Sequence, residues 1–402
     1  MMKKITGFEQ SFIFNNEVME FAVRVNNSKA IPKIIDNIVK STIGFRLKIE
    51  GENLVLHHDK FDVQKIPNNI NDPYNACLYG KTHFSPVFSK SLATIAANDN
   101  IVSVCASHSI ADGAFFKNLL PKIYDDGIEM VDNLPVAPYN LFIDEASRFD
   151  SVKPLIDISR LTQIPKSFSV PDNDPSLKYR RDIVDEIPIN ELKCYDKSKN
   201  RVVGLTDSLW LSVALSAAST CVSNEPPKVG CLTCVDMRQF MKPQQKTNRA
   251  SNCFSIINVL VDNINRNMKI GEAKRSIRQN FNNIIKSNKI FSVVKAWYDN
   301  FDDIKGIAPI ISNIGPMHFY SPIDDFYIMQ SYKSKPGEGI MDFISFSKVG
   351  NGKNIVNNRF QYSPTGLSDE LAHKIFKSIN YFLRYIPDHA TIQEAVNELS
   401  KI

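Results

Sequence analysis

The chain predicts a mixed α/β protein made of two folded halves. Three observations lead there. Hydrophobic periodicity switches repeatedly between the strand period of two and the helix period of about 3.6, so strands and helices interleave throughout. At 402 residues the chain exceeds what one ordinary hydrophobic core supports, which favours two domains. Between Pro135 and Lys199 the texture changes to prolines and scattered charges, including Ser169-Val-Pro-Asp-Asn-Asp-Pro175, and reads as a long connection. The expected division is therefore an N-terminal unit over 1–150, a crossover over 151–200 and a C-terminal unit over 201–402.

In chain order, Met19–Val25 is an apolar, β-branched run and predicts a strand. Ile31–Ser41 has apolar residues at helical spacing. Ile101–Ala106 reads as a buried strand and Ala114–Tyr124 as a helix, with Phe115, Phe116, Leu119, Leu120 and Ile123 on one face. In the second half, Asp207–Val222, Ala273–Lys286 and Ser368–Tyr385 carry the helical pattern. Lys228–Val235, Phe254–Val261, Asp325–Gln330, Met341–Ser347 and Ile355–Tyr362 carry the extended one. Gly350-Asn-Gly-Lys353 joins the last two strands as a hairpin. Ser368 is an N-cap, and the two acids behind it suit the positive end of a helix.

Composition removes several function classes. A net charge of +5, mild and dispersed, is not a nucleic-acid footprint. No apolar run reaches transmembrane length; Leu209–Val222 is too short and is broken by serines. Met1 to Glu9 has basic residues with no apolar segment behind them, unlike a signal peptide, so a cytoplasmic protein is expected. Seven cysteines, an odd count partly inside apolar runs, read as reduced thiols rather than a disulfide framework. Cys231 and Cys234 have C-x-x-C spacing, but no second pair or histidine accompanies them, and a strand would turn them to opposite faces. No metal or permanently bound cofactor is expected.

The stretch that carries chemistry is VSVCASHSIADGAFFKNLL, Val102 to Leu120. His108 falls where a strand ends, and Asp112-Gly113 opens the following helix. Strand ends facing a cleft are where α/β proteins place reactive groups. Singly, each residue has a plain structural role: Asp112 as an N-cap, Gly113 for close backbone approach, His108 as a half-buried ring. Together they place a base that is neutral near pH 7 beside a loop that an aspartate can hold.

Ser107-His108-Ser-Ile-Ala-Asp112-Gly113 resembles the HHxxxDG motif of the CoA-dependent acyltransferase superfamily. That superfamily includes chloramphenicol acetyltransferase, peptide-synthetase condensation domains, plant BAHD acyltransferases and fungal alcohol acetyltransferases. Further segments follow in the expected order. Phe45-Arg46-Leu47-Lys48-Ile49 resembles the early "LR" strand pair. Val235-Asp236-Met237-Arg238 with Ser251-Asn252-Cys253-Phe254 resembles the "D/N-x-R … G-N" segment. Ile311-Ser312-Asn313-Ile314-Gly315-Pro316 resembles the "SN-x-G" segment of the alcohol acetyltransferase branch. The first motif histidine is replaced by Ser107, and the DFGWG motif of the plant enzymes is missing, with Val349-Gly-Asn-Gly-Lys353 in its place.

The resemblance implies two chloramphenicol acetyltransferase-like subdomains with a tunnel between them and His108 midway along it. It implies acyl transfer, with acetyl favoured, from acyl-CoA as co-substrate to the hydroxyl of a small-molecule acceptor. His108 would be the general base, and Asp112 would turn away to pair with an arginine, either Arg46 or the preferred Arg238. Ser312 and Asn313 are candidate oxyanion donors, Gly113 and Gly315 are the motif glycines, and Lys242, Lys246 and Arg249 are candidates for the CoA phosphates. For Ser312–Gly315 a plain strand-ending turn is the competing reading. Competing functions are amide or ester formation from a carrier-bound thioester, N-acyl transfer, and a non-catalytic binding protein that keeps the fold. A monomer is expected.

Overall fold

The computed structural model describes residues 1–149, 158–164, 180–221, 227–242, 251–299, 308–331 and 341–402. Two mixed sheets organise it. The first has five strands in the order Ile323–Ser331, Val18–Val25, Ile101–Ser107, Ala93–Ala97 and Val63–Lys65. The second has six, in the order Phe254–Leu260, Gly230–Asp236, Pro309–His318, Met341–Gly350, Lys353–Tyr362 and Arg181–Pro188.

Both faces of the first sheet are covered, which explains why Ile101–Ser107 is buried along its whole length. On one face the helix Gly113–Leu119 lays Phe116 on Phe21, with ring centroids 4.9 Å apart. On the other, the helix Pro73–His83 approaches so closely that a Cβ at Gly80 would stand 2.8 Å from Cys105 Sγ. Cys105 pairs with Glu20, one residue from Phe21, so strand alternation puts the two helices on opposite faces. The second sheet is backed by the helix Leu205–Ala218, buried from Ser208 through Ala217. That helix packs against Ile270–Lys286, Asp369–Tyr385 and Ile392–Ser400. A helix apolar all round belongs inside, and Trp210 satisfies its indole N–H on Thr233 Oγ1 at 3.0 Å.

The halves are interlocked beyond the expected division at 150–200. Ile323–Ser331, from the C-terminal half, lies antiparallel to Val18–Val25 as the outer strand of the first sheet. Ile310 pairs in the second sheet, whereas Met317 and Phe319 fall in the first half's core, so one stretch of chain serves both. Arg181–Pro188, inside the expected crossover, is an edge strand of the second sheet, paired with Lys353–Tyr362. It does not read as a strand because only Ile183 and Ile187 face the apolar core, while Asp182 on the other face meets buried polar groups, Gln361 at 3.0 Å and Arg359 at 2.6 Å. The helix Gly7–Phe14, also absent from the periodicity reading, packs Phe8 and Phe12 against Leu232, Ile256, Leu260 and Trp297 of the second half.

Ser312–Gly315 is not a strand-ending turn. Pro309–His318 runs on as one strand with a bulge between Asn313 and Gly315, where Gly315 adopts φ +81°. Cys231 and Cys234 pack on different hydrophobic clusters, one on each side of their strand. No helix among the described residues is long and apolar enough to cross a membrane. No group of three or more His, Cys, Asp or Glu among them is placed to hold a metal ion.

Candidate active site

His108 follows directly on the strand Ile101–Ser107. Its turn is built locally: Ile110 N–H donates to Ser107 carbonyl at 3.0 Å, and the Ser107 and Ser109 hydroxyls bond at 2.9 Å. Ser107, where the family motif has its first histidine, thus serves to hold the turn. The His108 backbone is fixed on both sides. Its N–H donates to Glu17 carbonyl at 2.8 Å, and its carbonyl accepts from Asn252 Nδ2. Glu17 belongs to the first half and Asn252 to the second.

His108 is 5% exposed. Phe12 stacks on it with ring centroids 4.6 Å apart and planes 25° apart, and Phe254 lies at 5.4 Å. Nδ1 is buried and has no hydrogen-bond partner. Burial is the largest influence on the ring and holds its pKa below the ordinary histidine value, with Asp112 and the carbonyls of His108 and Ala111 pulling part of the way back. The ring is therefore neutral at pH 7, the form a base needs.

Asp112 is fully engaged elsewhere. As N-cap of Gly113–Leu119 it accepts from Phe115 N–H at 2.7 Å. Oδ2 also accepts from Cys253 N–H at 2.8 Å, and Arg238 Nη2 reaches both oxygens at 3.0 and 2.9 Å. Arg238 further donates to Asp236 Oδ1 and Ser251 carbonyl, each at 2.9 Å. Burial opposes its charge, but Asp112 and Asp236 outweigh that and hold its pKa above the ordinary arginine value. This pair ties the motif loop of one half to the loop after Gly230–Asp236 of the other. Gly113 allows the same approach: a Cβ there would stand 2.7 Å from Ile314 Cδ1. Next to it Lys117 Nζ donates to Ile314 carbonyl at 2.8 Å and lies 3.2 Å from where a Cβ on Gly315 would be.

Arg46 is not the partner of Asp112. Its guanidinium donates to the carbonyls of Val39 (2.9 Å), Lys40 (3.2 Å) and Val131 (2.8 Å) and faces Asp132 at 3.3 Å. It caps the carboxyl end of the helix Ile31–Ser41, where a cation belongs. Asn313 is also committed: its amide donates to Thr206 Oγ1 at 2.8 Å, and its carbonyl accepts Gly315 N–H at 3.0 Å, closing the bulge. Ser312, its neighbour on the opposite strand face, lies beside Cys234. Lys242 is exposed; Lys246 and Arg249 lie outside the described residues. Burial pushes the thiols of Cys234 and Cys253 up to about 12, so neither is a thiolate nucleophile at neutral pH. Phe12, Glu17 and the Asn252 amide were not assigned roles from sequence. The one available signal was the capping box Thr6-x-x-Glu9 that starts the Phe12 helix.

No family model and no curated protein matches the chain. Solved structures do match over nearly its whole length. Polyketide synthase associated protein 5 from Mycobacterium tuberculosis is 12% identical with a TM-score of 0.68, covering 96% of this chain and 98% of its own. The starter condensation domain of rhizomide synthetase RzmA, solved as its R148A mutant with C8-CoA, is 10% identical with a TM-score of 0.65, covering 98% and 97%. TRI3 trichothecene 15-O-acetyltransferase from Fusarium sporotrichioides is 9% identical with a TM-score of 0.63, covering 96% of each chain. The chain therefore has the two-subdomain fold shared by the CoA-dependent acyltransferases and condensation domains.

Proposed function

We propose that the protein is an acyltransferase that moves an acyl group from a thioester to a small-molecule acceptor, with His108 as general base. The observation that carries this reading is the division of labour within the motif. The imidazole is buried, neutral and unbonded at Nδ1, while the carboxylate four residues on is spent on Arg238, Phe115 and Cys253. Here the aspartate builds the loop instead of orienting the ring, and the ring is left to exchange a proton with substrate.

In this reading His108 takes the proton of an acceptor hydroxyl as its oxygen attacks the thioester carbonyl. The tetrahedral intermediate collapses, the carbon–sulfur bond breaks, and the proton passes from His108 to the departing thiolate. Such assistance is worth about 10²- to 10⁴-fold in rate. Ser312 is the proposed oxyanion donor; Asn313 is left out because Thr206 and Gly315 occupy its amide. Lys242 is the proposed contact for the CoA phosphates. An acyl-CoA donor and an oxygen acceptor agree with the likeness to an O-acetyltransferase and to a condensation domain that holds C8-CoA.

The likeness to a second synthetase domain, the epimerization domain of tyrocidine synthetase B, favours one alternative, a carrier-bound donor. The test is thiol release from acetyl- and longer acyl-CoAs over a panel of alcohols and amines, with acyl-phosphopantetheinyl carrier protein in parallel. Release from free acyl-CoA supports the reading; release from the carrier alone moves the donor; no release from either overturns it.

A further inference from the structure

No well-aligned hydrogen bond holds His108 Nδ1, although the carbonyls of His108 and Ala111 draw on the ring, and a base works only if its plane is held. What covers the ring is aromatic. Phe12 covers one face at 4.6 Å and 25°, and Phe254 lies at 5.4 Å and 30°. Behind them Phe8 and Trp297 complete a contiguous set: Phe8–Phe12 5.1 Å, Phe8–Phe254 5.8 Å, Phe8–Trp297 5.5 Å and Phe254–Trp297 5.7 Å.

The helix that delivers Phe12 is itself fixed from several directions. Thr6 and Glu9 form its capping box, with Thr6 N–H donating to Glu9 Oε2 at 2.9 Å. Lys3 Nζ bridges Glu9 at 2.5 Å and Pro135 carbonyl at 2.9 Å. Gly7 lets the helix rest on the second half, since a Cβ there would stand 2.8 Å from Trp297 carbonyl oxygen and 3.0 Å from that of Tyr298. After Phe12 the chain turns into Glu17, whose carbonyl holds the His108 N–H.

From this geometry we propose that Phe12 is a positioning residue for His108, its ring fixing the plane of the imidazole and sealing that face from water. Stacking thus shares with the His108 and Ala111 carbonyls the orienting part that a carboxylate plays in other bases, because Asp112 is already spent on Arg238. The catalytic consequence rests on the acyl-transfer reading; the effect on the ring's titration does not.

The experiment labels the histidine rings with ¹³C and follows their titration by NMR in the full chain, with His108→Ala identifying the His108 signal among the seven histidines. Phe12→Ala is expected to raise the His108 pKa by about half to one unit as water reaches the ring, and to move the acid limb of kcat/KM with it. Phe12→Tyr keeps the aromatic face and is expected to titrate like the wild type. Phe12→Leu keeps apolar cover without a flat face. It is expected to retain the low pKa while kcat falls about tenfold at unchanged KM, through loss of orientation. An unmoved His108 titration in folded Phe12→Ala, or full kcat in Phe12→Leu, would overturn the proposal. If Phe12→Ala does not fold, Phe12→Leu and Phe12→Tyr decide it. Absence of turnover in the wild type would sink the acyl-transfer reading and leave the titration to judge Phe12.

Discussion

Replacing Arg238 and Asp112 singly and together measures the lock that joins the two halves at the motif loop. Arg238→Ala leaves the Asp112 carboxylate, buried in the wild type, with only the Phe115 and Cys253 N–H groups for company. Two of its four hydrogen bonds survive, so the loss belongs at the low end for a broken buried pair, about 3 kcal/mol. Asp112→Ala orphans Arg238 to a similar extent, since Asp236 and Ser251 still accept from it, and removes an N-cap as well; about 3 and about 1 make about 4 kcal/mol. The double variant orphans neither charge and is expected to cost about 4 kcal/mol, not the sum of about 7. The coupling is then about 3 kcal/mol, the upper range for groups in direct contact. At about 2.1 cal/mol/K per residue, a single loss of this size lowers Tm by roughly 4 °C if all 402 residues unfold together. The assay is denaturant unfolding of wild type, both singles and the double. Losses that simply add, within about 0.5 kcal/mol, would refute the pairing.

Glu20 supplies a pH test. It is fully buried, within reach of the charges of Lys81 and Arg359. Burial raises its pKa to about 8, against the pull of Lys81, Arg359 and Ser331. The folded state therefore keeps a proton that the unfolded state gives up near 4.5, so stability falls as pH rises from about 4.5 to about 8 and is flat on either side. Glu20→Gln, which mimics the protonated form, should make the fall in urea midpoints over that window shallower; an unchanged slope would remove Glu20 as a source of it. Gly113→Ala should cost about 1 kcal/mol, because the new Cβ would stand 2.7 Å from Ile314 Cδ1 and 3.0 Å from its Cγ1, so the Ile314 side chain must give way. Unaltered stability would mean Ile314 simply rotates away. In the wild type the acid limb of kcat/KM should lie below the ordinary histidine value of about 6.5, following the burial of His108; a limb above it would point to a different base.

Local pattern and long-range pairing were not equally legible. The buried strand Ile101–Ser107 and the helix after Gly113 could be read because their periodicities are pure and the Asp112 cap lies between them. Ile323–Ser331 reads as a strand, but nothing local says that it pairs with Val18–Val25, about 300 residues earlier. Arg181–Pro188 hides because only Ile183 and Ile187 face the apolar core, while Asp182 on the other face is buried on Gln361 and Arg359 and charged residues fill the positions between. Choosing between Arg46 and Arg238 needed coordinates: both cations lie near the right segments, and only the position of helix Ile31–Ser41 shows that Arg46 is its carboxyl-terminal cap. Phe12 lay outside any site motif, since stacking on a ring from a distant helix leaves no spacing in the sequence.

The central claim is that His108 exchanges the proton in acyl transfer. The most direct measurement is thiol release from acyl-CoA by the wild type and by His108→Ala, with the same unfolding midpoint confirmed for both. The account predicts a loss of about 10²- to 10⁴-fold in the variant with the fold retained. Equal release by a folded His108→Ala would contradict it.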